Sequence, residues 1–201
     1  MANPLSLLPY AIAAADGRVN GTPAAALIAA GFALLQRSVP LVRALASQSP
    51  AILLPHGSAF VAALAACDGH AALVLDPARD ASTIRAALDR ASVNVVFTDA
   101  QFATRVPSDR LIVLLGDAPR EAQVQVPGAA ARRVDLGLHV GLAIEGERGA
   151  NGSEAAVLRW VDGEIVRCLS HRDVMAAGNH NERVPGLVNS LLRPLLNGES
   201  C

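Results

Sequence analysis

Two short segments of this chain place a hydroxyl close to an imidazole, the pair that nucleophilic catalysis uses. Ser170 and His171 are adjacent in a run typical of a strand. Because neighbouring side chains of a strand point to opposite faces, they cannot act together as nucleophile and base. His56-Gly57-Ser58 follows an apolar run and opens a helical pattern, where a small anion or an oxyanion could sit. Without a GxSxG elbow around Ser58, a cap and turn is the favoured interpretation.

The other residues that could carry chemistry predict neither a metal site nor a lysine-dependent site. The five histidines and three cysteines show no ligand spacing and no CxxC pair, which favours a reducing compartment without disulfides or zinc. The chain contains no lysine, and all seventeen of its basic residues are arginines. It therefore cannot form a Schiff base or offer a lysine to a phosphate. The glycine-rich run 146–152 follows no clear strand and opens no helix, so we interpret it as a linker.

Composition restricts the class of protein and its partners. With 52% hydrophobic residues among 201, the chain can bury a sizeable core. A net charge of -1 requires no basic face, so we predict no nucleic-acid partner. The N-terminus lacks the basic start of a signal peptide, and the longest apolar run, 24–35, has twelve residues. Because that run is too short to span a bilayer, we predict no membrane span and a cytoplasmic location.

The elements that must position these residues alternate along the chain. Thr22-Pro23 is typical of an N-cap followed by proline at the first helical position. It predicts a helix to about Arg37, with Pro40 interrupting or restarting it. Ser58 should cap a second helix, and Asp80 or Ser82 a third. Apolar runs predict strands at 51–54, 71–75, 93–97 and 111–115, and a short helix is expected from residue 99 or 100. This alternation is typical of an α/β fold, a parallel sheet flanked by helices.

The second half of the chain is less regular. Residues 117–152 hold six glycines and two prolines, so we expect loop or irregular strand there, with one weak strand at 136–144. Asp162-Gly163 between two alternating runs predicts a β-hairpin. A helix over 172–180 and a short helix around 187–192 should follow. The expected domains are an α/β subdomain over 1–145, a linker over 146–153, and a β-hairpin with a helical tail over 154–201.

Short motifs occur in a fixed order along the chain. They are Leu53-Leu54-Pro55-His56-Gly57-Ser58, Phe60-Val61, Leu75-Asp76-Pro77, Val95-Val96-Phe97-Thr98-Asp99, Leu111 to Asp117, and Ser170-His171-Arg172-Asp173-Val174. Each is weak alone, but their order over about 125 residues resembles the N-terminal part of the adenylate-forming superfamily. That superfamily comprises acyl-CoA synthetases, acyl-ACP ligases and nonribosomal adenylation domains. The resemblance implies the family's α/β scaffold, with a β-hairpin and a C-terminal helix added to it.

One stretch departs from that family. Before its Ser-His motif the family carries a Ser/Thr/Gly-rich loop ending Pro-Lys-Gly, whose amides and lysine hold the ATP phosphates. The positions that correspond here are Trp160, Asp162, Gly163 and Glu164. Because Asp162 and Glu164 would repel phosphate, the ATP and magnesium that the family uses are predicted to be lost, and no catalytic residue is assigned. The resemblance makes His171 an acyl-pocket or helix-start residue.

These observations favour a truncated adenylate-forming-like protein without ATP-dependent adenylation activity, acting as a non-catalytic binding or interaction module. Such a module should expose an apolar face, so a homo-oligomer or a protein partner that covers this face is expected. An alternative is the N-terminal part of a longer or split acyl-activating ligase, and a decaying gene product is the third possibility. The single tryptophan, Trp160, is expected to pack onto a neighbouring strand; an exposed one would mark a partner surface.

Overall fold

The computed structural model describes residues 9, 12–13, 15–46, 49–67, 69–137, 155–161, 163–170 and 187–201. These residues form an eight-stranded sheet with helices packed on both faces, together with a separate two-stranded ribbon. The α/β class that the alternating pattern predicts is confirmed.

The ribbon pairs β1 (Arg18–Val19) with β2 (Thr22–Pro23) in antiparallel orientation. Both residues of the intervening turn have positive φ, 48° at Asn20 and 78° at Gly21, as a type I′ hairpin requires. The first helix, α1 (Ala24–Arg37), therefore starts after Pro23. The prediction that Thr22 caps it was wrong, because pairing with β1 makes Thr22 a strand residue.

A second helix, α2 (Val39–Leu45), follows α1 after a bend of 95°. Pro40 lies in its first turn, where a missing backbone N–H leaves no helical hydrogen bond unmade. The predicted restart of the helix at Pro40 is therefore confirmed.

The sheet contains β3 (Ala51–Leu53), β4 (Ala72–Val74), β5 (Val95–Thr98), β6 (Leu111–Leu115), β7 (Glu121–Gln125), β8 (Arg132–Asp135), β9 (Ala155–Val161) and β10 (Glu164–Ser170). Their order across the sheet is β10-β9-β4-β3-β5-β6-β7-β8. The inner five strands, from β9 to β6, are parallel, and the three outer ones are antiparallel. The four strands predicted between residues 51 and 115 are confirmed to within two residues at each end.

Strands β7 and β8 show that the stretch after residue 117, expected to be loop or irregular strand, contains two regular paired strands. Ala122 and Val124 on β7 point inward, and Val134 does so on β8, while their strand neighbours are polar. This is the alternation of a strand with one buried face. Glutamate, glutamine and arginine weaken the propensity signal of these segments, whereas Gly128, with a φ of 74°, marks the turn between them.

The predicted hairpin of β9 and β10 is confirmed, with Val161 opposite Glu164 and Trp160 opposite Ile165. β9 also pairs in parallel with β4, so the hairpin extends the central sheet. The proposed linker at 146–153 and the predicted helix at 172–180 lie outside the described residues. The weak strand expected at 136–144 lies outside them from residue 138 onward.

The two faces of the sheet carry different helices. On one face, α1 and α3 (Ser58–Ala66) pack over the larger core cluster. On the other, α4 (Ala81–Arg90) packs through Ile84, Ala87 and Leu88 onto a second cluster. Asp80 caps α4 as predicted, but α3 has Gly57 at its N-cap, so Ser58 is its first helical residue and not its cap. The helix expected from residue 99 or 100 is a 3-10 turn at Ala103–Arg105.

The C-terminal residues pack back onto the start of the described chain. A π-helical segment, Leu187–Leu192, leads into α5 (Arg193–Leu196) and contributes Leu187, Leu191 and Leu192 to the larger core cluster. The backbone N–H of Arg18 then donates to Glu199, and that of Cys201 donates to Arg18. The short helix expected around 187–192 is therefore present, with π rather than α hydrogen bonding.

Candidate functional site

A cavity of about 400 Å³ opens at the carboxyl ends of the parallel strands β4 and β9. Its lining comes from the end of β4, the first turns of α4 and the tip of the β9–β10 hairpin: Val74, Leu75, Asp76, Arg79, Thr83, Ile84, Ala86, Ala87, Trp160 and Gly163. The carboxyl edge of a parallel sheet is where ligands of open α/β proteins bind. Sheet order brings the hairpin beside β4, although they lie far apart in sequence.

Trp160 forms one wall of the cavity. It is half-buried, lies opposite Ile165 on β10, and packs against the smaller core cluster together with Leu158. It is therefore neither free on the surface nor fully in the core, which leaves part of its ring for a ligand.

The tip of the hairpin has too little backbone for an extended loop. Val161 and Glu164 are already paired, so two residues remain between the strands. Gly163 has a φ of 86° and an exposed surface, as a tight turn requires. Asp162, the other predicted residue of this position, lies outside the described residues. Glu164 is exposed, and its carboxylate lies 3.5 Å from the guanidinium of Arg90 on α4.

The rim of the cavity on the β4 side carries one acidic and one basic side chain, Asp76 and Arg79. The carboxylate of Asp76 accepts from the backbone N–H of Ala78 at 2.8 Å and lies 3.8 Å from the guanidinium of Arg79. Both side chains are more than half exposed, so the pair contributes little to stability.

Arg105 holds the loop that carries this rim. Its guanidinium donates to the backbone carbonyls of Pro77 and Arg79, and it lies 5.1 Å from the centre of the Phe102 ring. The β4–α4 loop is thereby fixed to the 3-10 turn after β5.

Asp80 fixes the start of α4 just behind the rim. Its carboxylate accepts from the Ser82 hydroxyl, the Thr83 backbone N–H and the Thr83 hydroxyl, the last two at 2.9 Å. These hydrogen bonds stabilise the charged form, so the pKa of Asp80 lies well below its ordinary value. Thr83, which lines the cavity, therefore already uses its hydroxyl hydrogen.

His56 and Ser58 do not form a nucleophilic pair. The Ser58 hydroxyl is buried and donates to the backbone carbonyl of Val19 at 3.5 Å. The His56 ring stands edge-on to Phe60 at 5.5 Å. Burial lowers the pKa of His56, and the nearby charge of Asp76 partly opposes this shift. The geometry fits the turn but not the cap of the sequence interpretation, because Ser58 is the first helical residue of α3 and His56 packs as part of the turn before it.

Histidine, cysteine and acidic side chains do not cluster into a metal centre in the described part of the chain. Within the described ranges, no group of three or more histidine, cysteine or acidic residues is placed to hold a metal ion. A shallow depression beside β6 is lined by Asp99, Asp117 and Glu121 without forming such a group. Ser170 ends β10, whereas His171 lies outside the described residues.

Sequence reasoning singled out the hairpin side of the cavity and missed the opposite side. Arg79, Thr83 and Ile84 carry no recognisable motif. The available signal was Leu75-Asp76-Pro77 at the end of an apolar run, which marks the carboxyl edge of a buried strand.

The described part of the chain contains no single helix that has both the length and the apolar composition to cross a bilayer. Helices α1 and α2 have the required length and apolar composition only when they are taken together, and a bend of 95° separates them.

Solved structures share this fold, although no protein-family model matches the sequence and no curated protein matches it significantly. The nonribosomal peptide synthetase FmoA3, in its alpha-methyl-L-serine-AMP bound form, matches 98% of this chain with a TM-score of 0.61 and 15% identity. O-succinylbenzoate coenzyme A synthetase from Bacillus subtilis, in complex with ATP and magnesium ion, matches 87% with a TM-score of 0.55 and 16% identity. The luciferase-like enzyme from the nonluminescent Zophobas morio mealworm matches 100% with a TM-score of 0.60 and 11% identity.

The matches confirm that the fold resembles that of adenylate-forming enzymes, as the ordered motifs predict. The chain spans 24%, 48% and 53% of the length of these three proteins, respectively. At this level of identity the likeness concerns the fold alone.

Proposed function

We propose that this chain is an adenylate-forming-like protein that binds a ligand or partner and does not activate acids with ATP. The observation that carries the proposal is the two-residue turn at the tip of the β9–β10 hairpin. In the family that the sequence resembles, this interval holds a Ser/Thr/Gly-rich loop whose successive backbone amides cradle phosphate. Two residues between paired strands are too few to form such a cradle.

The charges near the turn also oppose phosphate binding. Among the described side chains at the turn, Glu164 forms an ion pair with Arg90, and this pair offers no net positive charge to a phosphate. Arg79, the cation that lines the cavity, is likewise paired with Asp76. With no lysine in the chain, the family's phosphate-binding lysine has no lysine counterpart here.

Calorimetry with magnesium-ATP tests this proposal directly. We expect no saturable heat at millimolar ATP, and no ATP–pyrophosphate exchange with fatty or aryl acids. Glu164→Gln is the control, because it removes the negative charge and keeps the tight turn. This variant should also fail to bind ATP, since the backbone cradle is missing in both proteins. Saturable ATP binding by the unmodified chain would contradict the proposal.

The cavity, rather than an exposed apolar surface, favours a binding role. Among the described residues, the exposed large hydrophobic side chains are Val39 and Val42 on α2. Two valines are far fewer than the 20–30 residues that each partner contributes to a standard protein interface. A homo-oligomer or a protein partner thus stays a prediction, as do the cytoplasmic location and the absence of a nucleic-acid partner.

A second candidate is the N-terminal part of a longer or split acyl-activating ligase. The observation that favours it is coverage, because the chain spans 24% to 53% of the three enzymes compared above. Pyrophosphate exchange distinguishes the two candidates. Exchange that appears only when the products of neighbouring genes are added would favour the split enzyme. The third alternative, a decaying gene product, predicts poor expression and a marginal melting temperature.

A further inference from the structure

We propose that the cavity beside Trp160 binds a small, neutral aromatic molecule of about two fused rings that carries an O–H or N–H donor. This proposal deepens the binding role proposed above and rests on it. It assigns a ligand class to the cavity between β4, α4 and the hairpin tip.

The size of the cavity sets the size of the ligand. Its volume is about 400 Å³, within the ordinary range of ligand pockets. An apolar cavity of about 150 Å³ already holds benzene. A two-ring molecule therefore fits, with room left for its polar substituent and for water at the open rim.

The lining favours an aromatic body. Six of the ten lining residues are apolar, and Leu75, Ile84 and Ala87 are buried. They form an apolar floor, beside which the half-buried ring of Trp160 offers a flat surface. Aromatic pairs in stacked or edge-to-face arrangements gain energy beyond their buried area, so a ring fits this wall better than an aliphatic chain of equal volume.

The charges of the rim favour a neutral ligand. Asp76 and Arg79 line the cavity as a pair of opposite charges 3.8 Å apart. An anionic ligand would be attracted by Arg79 and repelled by Asp76. A cationic ligand would be attracted by Asp76 and repelled by Arg79. Neither sign has a net advantage at this rim.

Thr83 specifies the polar group of the ligand. Its hydroxyl hydrogen is donated to Asp80 at 2.9 Å, so its oxygen can act only as an acceptor toward a further partner. A ligand O–H or N–H satisfies this acceptor, whereas a ligand that carries only acceptors does not.

Calorimetric titration with 2-naphthol tests the proposal, accompanied by NMR detection of the Trp160 indole N–H. Because the chain has a single tryptophan, that resonance reports on the cavity wall without ambiguity. We expect one-to-one saturable binding and a saturable shift of the indole signal. Binding of 2-naphthoate or 2-naphthylmethylammonium should be no tighter than that of 2-naphthol.

A matched pair of variants locates the site. Ala86 is exposed on α4 and lines the cavity, so Ala86→Leu fills the space without disturbing the core. We expect it to weaken 2-naphthol binding at least tenfold. Ala81→Leu adds the same side chain to an exposed position of α4 that does not line the cavity, and it should change affinity less than twofold. Circular dichroism establishes that both variants fold.

Three results would overturn this assignment: no saturable binding of 2-naphthol, equal affinity in the Ala86→Leu variant, or a charged analogue that binds more than tenfold tighter. The ATP titration keeps the two proposals distinguishable. If the protein binds both ATP and 2-naphthol, the proposed loss of ATP chemistry is refuted and the cavity assignment stands. Failure of both ligands to bind would refute the cavity assignment alone.

Discussion

Gly31 lies where α1 crosses α3, and replacing it by alanine tests how closely these helices pack. A Cβ atom at this position would lie 2.3 Å from the carbonyl oxygen of Ala62, 2.7 Å from the Cβ of Ala65 and 3.0 Å from the backbone nitrogen of Ala66. Two of these three atoms belong to the backbone of α3, so no side-chain rotation can relieve the contact. The helices must separate.

The expected size of the effect follows from this separation. An ordinary contact begins near 3.4 Å, so α1 must move by about 3.4 minus 2.3, or 1.1 Å. A radial gap of about 0.5–1 Å already forfeits a quarter to a half of the dispersion energy between facing atoms, and overpacking typically destabilises by about 1–3 kcal/mol. Because two of the contacted atoms are backbone and cannot rotate away, the cost should lie near the upper end of this range, about 3 kcal/mol. The higher helix propensity of alanine offsets about 1 kcal/mol of it, so we expect Gly31→Ala to lower the free energy of unfolding by about 2 kcal/mol.

Urea denaturation followed by circular dichroism measures this change. With a typical denaturant slope of about 2 kcal/mol per molar urea, the midpoint should fall by about 1 M. Gly116→Ala is the control, because a Cβ there meets nothing within 4 Å, and it should leave the midpoint unchanged or raise it slightly. A Gly31→Ala variant as stable as the unmodified protein would refute the close packing of α1 and α3.

Two further predictions concern ionisable groups near the cavity. The folded state lowers the pKa of Asp80, so the stability that this carboxylate contributes is complete above its unfolded pKa of about 4 and is lost as the pH falls toward the folded value. Urea denaturation of the unmodified protein and of Asp80→Ala measures this contribution. The two midpoints should differ by a constant amount near neutral pH, and the difference should shrink below about pH 4. A difference that stays the same at lower pH would contradict the capping role. Burial lowers the pKa of His56, and the negative charge of Asp76 partly opposes this shift. Asp76→Asn should therefore lower the pKa of His56 further, as measured by an NMR titration in which His56→Gln assigns the signal. An unchanged pKa would place the two groups too far apart to interact.

Much of the fold could be predicted where the local sequence pattern determines the structure without a tertiary partner. Continuous apolar runs predicted the parallel strands, since such strands are buried on both faces, and Asp162-Gly163 predicted the hairpin. The prediction was wrong for Thr22 and Ser58, where a tertiary partner decides the local structure. β1 pairs with Thr22, and the Val19 carbonyl accepts the hydrogen of the Ser58 hydroxyl.

The cavity was not predicted from the sequence, although two of its lining residues were singled out for other reasons, because it depends on sheet order. Trp160 was singled out from the hairpin, and Gly163 from its turn. Their neighbours Arg79 and Thr83 come from a different strand–helix unit, and nothing in their sequence indicates that β9 pairs with β4. Strand order is a property of the whole chain, which local patterns do not specify.

The insertion of β9 beside β4 has a consequence for how the protein is made. Eighty residues, 75–154, separate the two strands in the chain. At a synthesis rate of about 5–20 residues per second, β9 leaves the ribosome about 4–16 s after β4. Throughout this interval the edge of β4 that β9 later covers has unpaired backbone N–H and C=O groups, which can recruit strands of other chains. β4 is only three residues long, and this shortness limits the hazard during synthesis.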